Sequence, residues 1–386
     1  MDRRSSTVGA VSGTLDRLEL ARFPIDPRDT LRAWDAADEY LLQHLGEPAA
    51  VPVIVNDNWG ALATALAEHH PVQITDSHTA QSATRQNLSR NGIDADQVTL
   101  LSTADAAPSR IDLLIVRVPK SLALLEQELH DLAPALHKDS VVVGAGMTKD
   151  VHTSTLQLFE RIVGPTTTSL AVKKARLIFA TPDPEIVRPA STWPRTFVLP
   201  PDTGIAAGRR ITHHAGVFSA ERLDVGTRLL LQHLPGRPGA RRIADLGCGN
   251  GILGLAAALT NTDAELTFLD ESYLAVTSAR DTFQANLPDR TAQFVVADGL
   301  LSSGAVERGS VDLVLNNPPF HAQHSLTDAT AWRMFADSKD ALRPGGELLV
   351  VGNRHLCYHA KLKRLFGNYE TVGSNAKFVV LRAVRR

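Results

Sequence analysis

The chain has 386 residues, of which 44% are hydrophobic and 21% charged, with a formal net charge of -2. That length and balance suit two ordinary globular domains and exclude both a disordered polymer and a protein coated in positive charge. Two cysteines, Cys248 and Cys357, exclude a disulfide framework or a cysteine-rich metal site, so a reducing cytoplasm and no metal are expected.

The opening "MDRRSSTVGAVSG" has arginines but no apolar run, so it does not read as a secretory signal, and no later stretch is long and apolar enough to span a bilayer. The first half then alternates short apolar runs with longer helical stretches: "VIVNDNWGAL" from Val53, "QITDSHTAQSATRQNLSRNGID" from Gln73, "IDLLIVRVPK" from Ile111, "LHKDSVVVGAGMTKDVHTSTLQLFERIVG" from Leu136 and "AVKKARLIFA" from Ala171. The segment "TPDPEIVRPASTWPRTFVLPPDTG" holds six prolines, which break helices and central strands, and a domain boundary is placed near Ser191. The stretch from Arg195 to Gly216 reads as a hairpin entering the second half.

The second half supplies strands at "RRIADL", "ELTFLD", "AQFVVAD", "VDLVLNN" and "GELLVVG", a helix at "YHAKLKRLF" and a last segment, "AKFVVLRAV". These runs match those of the first half in the same order. Asp112 aligns with Asp312, Pro119 with Pro319 and Asp76 with Asp270, while Arg85 to Asn91 keeps the spacing of Arg280 to Asn286. The expected architecture is therefore α/β: two copies of one mostly parallel, Rossmann-like sheet domain with helices on both faces, at residues 1–190 and 191–386.

The second copy carries the chemistry. "DLGCGNG" places Asp245, Gly247, Gly249 and Gly251 between a strand and a helix, where glycines permit positive φ and a close ligand approach. Its G-x-G-x-G spacing differs from the dinucleotide fingerprint, and no Lys-Ser/Thr follows to make a P-loop. Asp270 closes the next strand, where a carboxylate accepts from ribose hydroxyls, or else caps the following helix. Asp298 ends the strand after that and reads evenly as an acceptor for an adenine amine or as a turn residue. "NNPPFH", Asn316 to His321, ends the fourth strand at the edge where open α/β sheets bind ligands. There the Asn317 oxygen and the Pro318 carbonyl can accept both hydrogens of a planar amine, Pro318 and Pro319 hold them rigid, and Phe320 offers a face for a flipped base. The first copy has Trp59 and two asparagines in its loop, with Gly60 the one glycine left, and "VRVPK" in place of "NNPPF". It reads as a degenerate copy that kept the sheet and lost the cofactor site, either buttressing the second half or, as the preferred expectation, gripping its substrate.

Together these motifs resemble class I S-adenosylmethionine-dependent methyltransferases that methylate amines. More narrowly, "HHAGVFSAERLDVGTRLLLQHLP", "NNPPFHAQHSLTD" and "GNRHLCYHAKLKRLFGN" resemble the bacterial ribosomal RNA guanine-N2 methyltransferases, most nearly those acting on 23S RNA. The resemblance covers nearly the whole chain and is sharpest from His214 onward. It implies S-adenosylmethionine as cofactor and ribosomal RNA, or a ribosome assembly intermediate, as partner, without membrane or metal, for a monomeric cytoplasmic enzyme. By the same resemblance Gly247, Gly249 and Gly251 shape the methionine end of the cofactor, and Asp245 orients the loop or meets the cofactor's amino group. Asp270 takes the ribose, Asp298 the adenine, and Phe218 and Ser219 line the pocket. Asn317, Pro318, Pro319 and Phe320 hold the guanine, and His321 is weighed evenly as an RNA contact or a satisfied loop histidine. A 16S RNA enzyme has the same two-half layout. A protein glutamine methyltransferase has a similar motif, usually ending in tyrosine, and a non-catalytic RNA-binding assembly factor would fit the first half. Basic clusters at Lys173, Lys174 and Arg176, at Arg209 and Arg210, at Arg237, Arg241 and Arg242, and from Lys361 to Arg386 would serve a phosphate backbone if they shared a side.

Overall fold

A computed structural model describes residues 13–25, 29–219, 223–234, 239–319 and 324–386, with backbone alone for 324–328. Its contacts divide the chain into two compact units, Met1–Ser191 and Thr192–Arg386.

In the first unit, α1 (Ala36–Leu45) precedes β1 (Pro52–Val55), α2 (Ala61–Ala65), β2 (Val72–Thr75), α3 (His78–Arg90), β3 (Thr99–Ser102) and β4 (Ile111–Arg117). Then come α4 (Leu122–Leu132), β5 (Leu136–Met147), α5 (Thr153–Ile162), β6 (Thr166–Thr168) and β7 (Ala175–Ala180). The second unit opens with an antiparallel hairpin, β8 (Arg195–Val198) and β9 (Arg210–His213), as the sequence led one to expect. It continues with α6 (Val225–Leu231), β10 (Arg242–Leu246), α7 (Ile252–Thr260), β11 (Glu265–Asp270), α8 (Tyr273–Asn286), β12 (Gln293–Val296) and β13 (Val311–Asn316). It ends with α9 (His324–Ala341), β14 (Leu342–Asn353), α10 (Tyr358–Phe366), β15 (Glu370–Ser374) and β16 (Phe378–Val384).

The sheet orders are β3-β2-β1-β4-β5-β7-β6 and β12-β11-β10-β13-β14-β16-β15. Counted within each seven-stranded sheet these are one order, so the internal repeat extends to topology. In each sheet the first five strands run parallel, the sixth runs against them, and the seventh pairs antiparallel with the sixth. Successive residues of a strand face opposite sides, and both sides are apolar because helices cover both. In β13, Leu313 and Leu315 enter one core cluster, and Val311 and Val314 the other. In β4, Leu113 and Ile115 part from Leu114 and Val116 in the same way.

The repeat also reaches side-chain detail. Asn286 accepts from Arg210 N at 3.1 Å and donates to Arg210 O at 2.6 Å, and one turn earlier Thr282 does the same for Thr212 at 3.0 and 3.3 Å. In the first unit, Asn91 clasps both backbone groups of Glu19 at 2.9 and 3.1 Å, and Asn87 those of Ala21 at 2.9 and 3.0 Å. Each unit thus ties the segment ahead of its sheet to the same helix by side chains that mimic a strand partner.

Phe268 anchors one core layer of the second unit. It is fully buried, stacks on Phe294 at 5.0 Å and meets the edge of Phe283 at 5.4 Å. Phe268→Ala is expected to cost the second unit about 3–5 kcal/mol, read as a lower urea midpoint in chemical denaturation.

Candidate functional site

The end of β10 is level with its neighbours, since Leu246 pairs with Leu269 of β11 and with Asn316 of β13. The glycine loop, Asp270 and the Asn317 segment therefore emerge at one edge of the sheet. In the loop, Gly247, Gly249 and Gly251 have φ of +71°, +52° and +78°, and they do different work. A Cβ on Gly251 would stand 2.8 Å from Ala279 Cα, so this glycine lets α7 pack on α8. A Cβ on Gly247 would stand 3.1 Å from Met334 Cε, whereas one on Gly249 would meet nothing within 4 Å. Gly249 thus opens onto free space, as a ligand cradle requires.

Asp245 is buried, and its Oδ2 accepts from Gly254 N at 2.8 Å, inside the first turn of α7. Its Oδ1 has no hydrogen-bond partner among the described residues. Burial, with the Asp270 charge nearby, pushes its pKa up to about 8. Asp270 accepts from Gly249 N at 3.0 Å and from Ser272 N at 3.1 Å, which aims the carboxylate from loop to helix cap, and burial pushes it up to about 6. Burial raises the Cys248 thiol as well, so it stays protonated and is no nucleophile.

At the end of β13, Asn316 Nδ2 donates to Leu246 O at 2.7 Å, and Asn317 Nδ2 donates to Thr227 Oγ1 at 2.9 Å. The side-chain oxygens of both asparagines are buried without a partner among the described residues. Pro318 is buried and Pro319 exposed. Phe320 and His321 lie outside the described residues. Phe218, half exposed, and Ser219, with φ of +71°, lie between β9 and α6. His213 ties that loop to the glycine loop, through Nε2 to Val217 O at 2.8 Å and Nδ1 to Asn250 Nδ2 at 3.3 Å, and burial lowers its pKa. Asp298 is engaged by Arg333 of α9, at 2.8 and 3.2 Å, so an adenine amine there would share the carboxylate with a guanidinium.

The motif reading missed Asn316, Thr227, Asp224, His213 and Arg333. Only Asp224 and Thr227 left a signal, the "DVGT" cap ahead of the apolar run "RLLL".

The first unit fills the same places with its own groups. Asn56 takes the Gly247 position with φ of +63°, and its N–H bonds Ile74 O as Gly247 N bonds Leu269 O. Asp57 accepts from Ala61 N and Ala63 N at 3.1 and 2.9 Å, doing from the loop what Asp245 does from the strand. Arg22 covers Trp59 at 4.6 Å. Gly60 survives because a Cβ there would lie 2.3 Å from Thr84 Oγ1. The pairing of Asp76 with Asp270 is corrected: Ser77 and Ser272 cap α3 and α8 alike, so Thr75 stands where Asp270 does. Arg117 replaces Asn317, paired with Asp35 at 2.9 Å and Asp38 at 2.8 Å. On α4, Glu128 is buried, with Oε2 accepting from Asn56 at 2.7 Å and Oε1 unpartnered among the described residues, and burial pushes it up to about 8.

The basic residues of the second unit do not gather on one side. Arg241 and Arg242 start β10 at the far edge, where their N–H groups bond Asp312. There a cleft of about 590 Å³ opens among Arg242, Glu265, Gln293 and Val311, away from the glycine loop. Arg382 is spent on Glu347 and Glu370, and Arg385 on the Asp340 and Leu342 carbonyls. Lys361, Lys363 and Arg364 stay together on α10, while Arg237 lies outside the described residues.

Residues 10–184 match the family described as RLMG N-terminal domain, and residues 208–382 match the Methyltransferase small domain. Ribosomal RNA large subunit methyltransferase G of Streptomyces avermitilis is 63% identical over 95% of this chain and 97% of its own. The protein of the same name from Streptomyces griseus is 60% identical over the full length of both, and that from Pseudomonas aeruginosa 49% identical over 95% and 97%. Among solved structures, a T. thermophilus 16S rRNA N2 G1207 methyltransferase in complex with AdoMet and guanosine shares the fold, at a TM-score of 0.72 and 24% identity over 91% of this chain and 92% of that one.

The glycine loop and the buried Glu128 each yield a stability prediction. Gly249→Ala is expected to cost about 1–2 kcal/mol for its positive φ alone, and Gly251→Ala a further ~1–3 kcal/mol for its collision with α8, a ranking that thermal melts resolve. Glu128 has a pKa raised above its ordinary value of 4.5 to about 8, so the stability it contributes is complete below pH ~4.5 and is lost as pH rises through about 8. In Glu128→Gln the fall in melting temperature between pH 5 and 9 should be shallower than in the unmodified protein.

Proposed function

The chain belongs to the ribosomal RNA large subunit methyltransferase G family, and from that membership we propose that it methylates the exocyclic N2 amine of a guanine in 23S ribosomal RNA, with S-adenosylmethionine as donor. It is an enzyme of ribosomal RNA. The observation that carries the site reading is the Asn317 oxygen, buried and unpartnered among the described residues at the edge where the glycine loop opens.

The residues present fit the cofactor. Gly249 leaves room, Asp245 Oδ1 is buried without a partner among the described residues, and Asp270, fixed by two backbone N–H groups, keeps lone pairs for ribose hydroxyls. Gly247, Gly249 and Gly251 would shape its methionine end, with Phe218 and Ser219 lining the pocket. Asp298, braced by Arg333, would accept from its adenine amine. When bound, S-adenosylmethionine supplies an electrophilic methyl group on a sulfonium.

The chain's own contribution is positional. Asn317 Oδ1 and the Pro318 carbonyl oxygen accept the two hydrogens of the guanine amine. This localises the nitrogen lone pair, which conjugation with the ring otherwise withdraws. Pro318 and Pro319 fix φ, so neither acceptor retreats, and Phe320 stacks on the flipped base. No base is required before attack, because the nitrogen would take the methyl through its lone pair as the sulfonium–methyl bond breaks, and would release one proton to solvent afterwards. The first unit, whose corresponding places are filled by Arg117, Asp57 and Trp59, contacts RNA rather than cofactor.

Protein incubated with labelled cofactor and 23S RNA lacking the modification should form N2-methylguanosine, identified by mass spectrometry of the digested RNA. Asn317→Ala is expected to lower the rate by about 10²–10³-fold while cofactor affinity, measured by calorimetry, survives. Methylation of another atom would sink the guanine-N2 assignment, and full activity in the variant would sink the role of Asn317.

A further inference from the structure

An amide that grips an amine must present its oxygen, not its nitrogen. Asn317 lies between two groups at the start of α6. Its Nδ2 is 2.9 Å from Thr227 Oγ1 and 3.5 Å from Asp224 Oδ2. Asp224 is the N-cap, its Oδ2 accepting from Thr227 N at 2.9 Å, and the Thr227 hydroxyl lies 3.4 Å from that same oxygen. A carboxylate only accepts. The Thr227 proton therefore points to Asp224, and the lone pair of Thr227 is left to accept from Asn317. Turning the amide over would set its oxygen against the carboxylate and its NH₂ toward the substrate. A chain of donors with one permitted direction ends at Asn317 Oδ1.

The repeat gives an independent instance. In the first unit the N-cap and third residue of α1, Asp35 and Asp38, face the end of β4, and the residue they hold, Arg117, also offers only donors. In both units acceptors at these two helix positions select a donor face on a residue at the end of the fourth parallel strand, Arg117 closing β4 and Asn317 following β13. We propose that Asp224 and Thr227 are positioning residues for methyl transfer, fixing the orientation of the Asn317 amide so that its oxygen faces the guanine amine.

The proposal rests on the reading of Asn317 as the amine acceptor, so the test carries Asn317→Ala as a third arm. Thr227→Val keeps the shape and removes the acceptor. Asp224→Ser keeps an N-cap oxygen, hence the helix, and removes the acceptor-only charge. Each should lower kcat by roughly ten- to a hundredfold, as misplacement of a reacting group does, with KM for RNA and cofactor affinity within about threefold of the unmodified protein. Thr227→Ser should recover most of the loss. Full activity in Asn317→Ala removes the acceptor reading itself. Loss there with unmodified kcat in both Thr227→Val and Asp224→Ser overturns the positioning proposal alone. So does a loss of cofactor affinity matching the loss of kcat in Asp224→Ser, since that is the mark of a merely structural role.

Discussion

The site depends on β10 lying between β11 and β13 in a register that brings three strands to a common end. Leu246 is paired on both sides, with Leu269 and with Asn316. From that ladder a single edge presents the glycine loop, a carboxylate two residues from a helix cap, and an amide held by a preceding helix. Slipping one pair by a residue would turn every side chain of the strand to the other face and break the constellation. The apolar layers on both faces are thus what sets the geometry of the polar groups at the edge, and the chemistry inherits its precision from the core.

The two units show how one backbone plan takes two electrostatic solutions. In the second, side-chain oxygens are buried without partners among the described residues: Asp245 Oδ1, Asn316 Oδ1 and Asn317 Oδ1. A buried polar group without a partner costs stability, so such a cluster persists where something outside the chain completes it. In the first unit the corresponding region is closed by charges of the chain itself, Arg117 with Asp35 and Asp38. The glycine retained there, Gly60, is the one that helix packing demands, while the position open to a ligand in the second unit carries Asn58. What each copy kept distinguishes packing from binding.

Most of the plan was legible in the sequence because it is local. Strand lengths, the six-proline boundary, the hairpin and α10 follow from runs of neighbouring residues, and the glycines with Asn317 lie at a fixed place in a βαβ unit. Contacts across many residues left no such trace. Arg333 reaches Asp298 from another helix, Thr227 meets Asn317 across ninety positions of chain, and His213 joins two loops. The polar edge strand β15 carries no apolar run to announce it. Asp76 was matched to Asp270 by residue type, whereas the serine caps set the register one residue away. Basic residues that would have suited a phosphate backbone had they shared a side are divided in the second unit, some consumed by carboxylates whose nearness no spacing reveals.

The Arg117 cluster also bears on how freely the two copies can exchange roles in sequence space. Restoring an asparagine at position 117 by one substitution would strand two carboxylates, one of them deeply buried, at a cost of about 3–5 kcal/mol. Neutralising either carboxylate first would leave the buried guanidinium short of charge instead. Each single step leads downhill in stability before any benefit accrues, so converting this edge to the asparagine of the second copy requires concerted changes. The ion cluster therefore works as a ratchet: once formed, it commits the first copy to its separate course, and selection can tune that copy's surface without reviving a second catalytic centre.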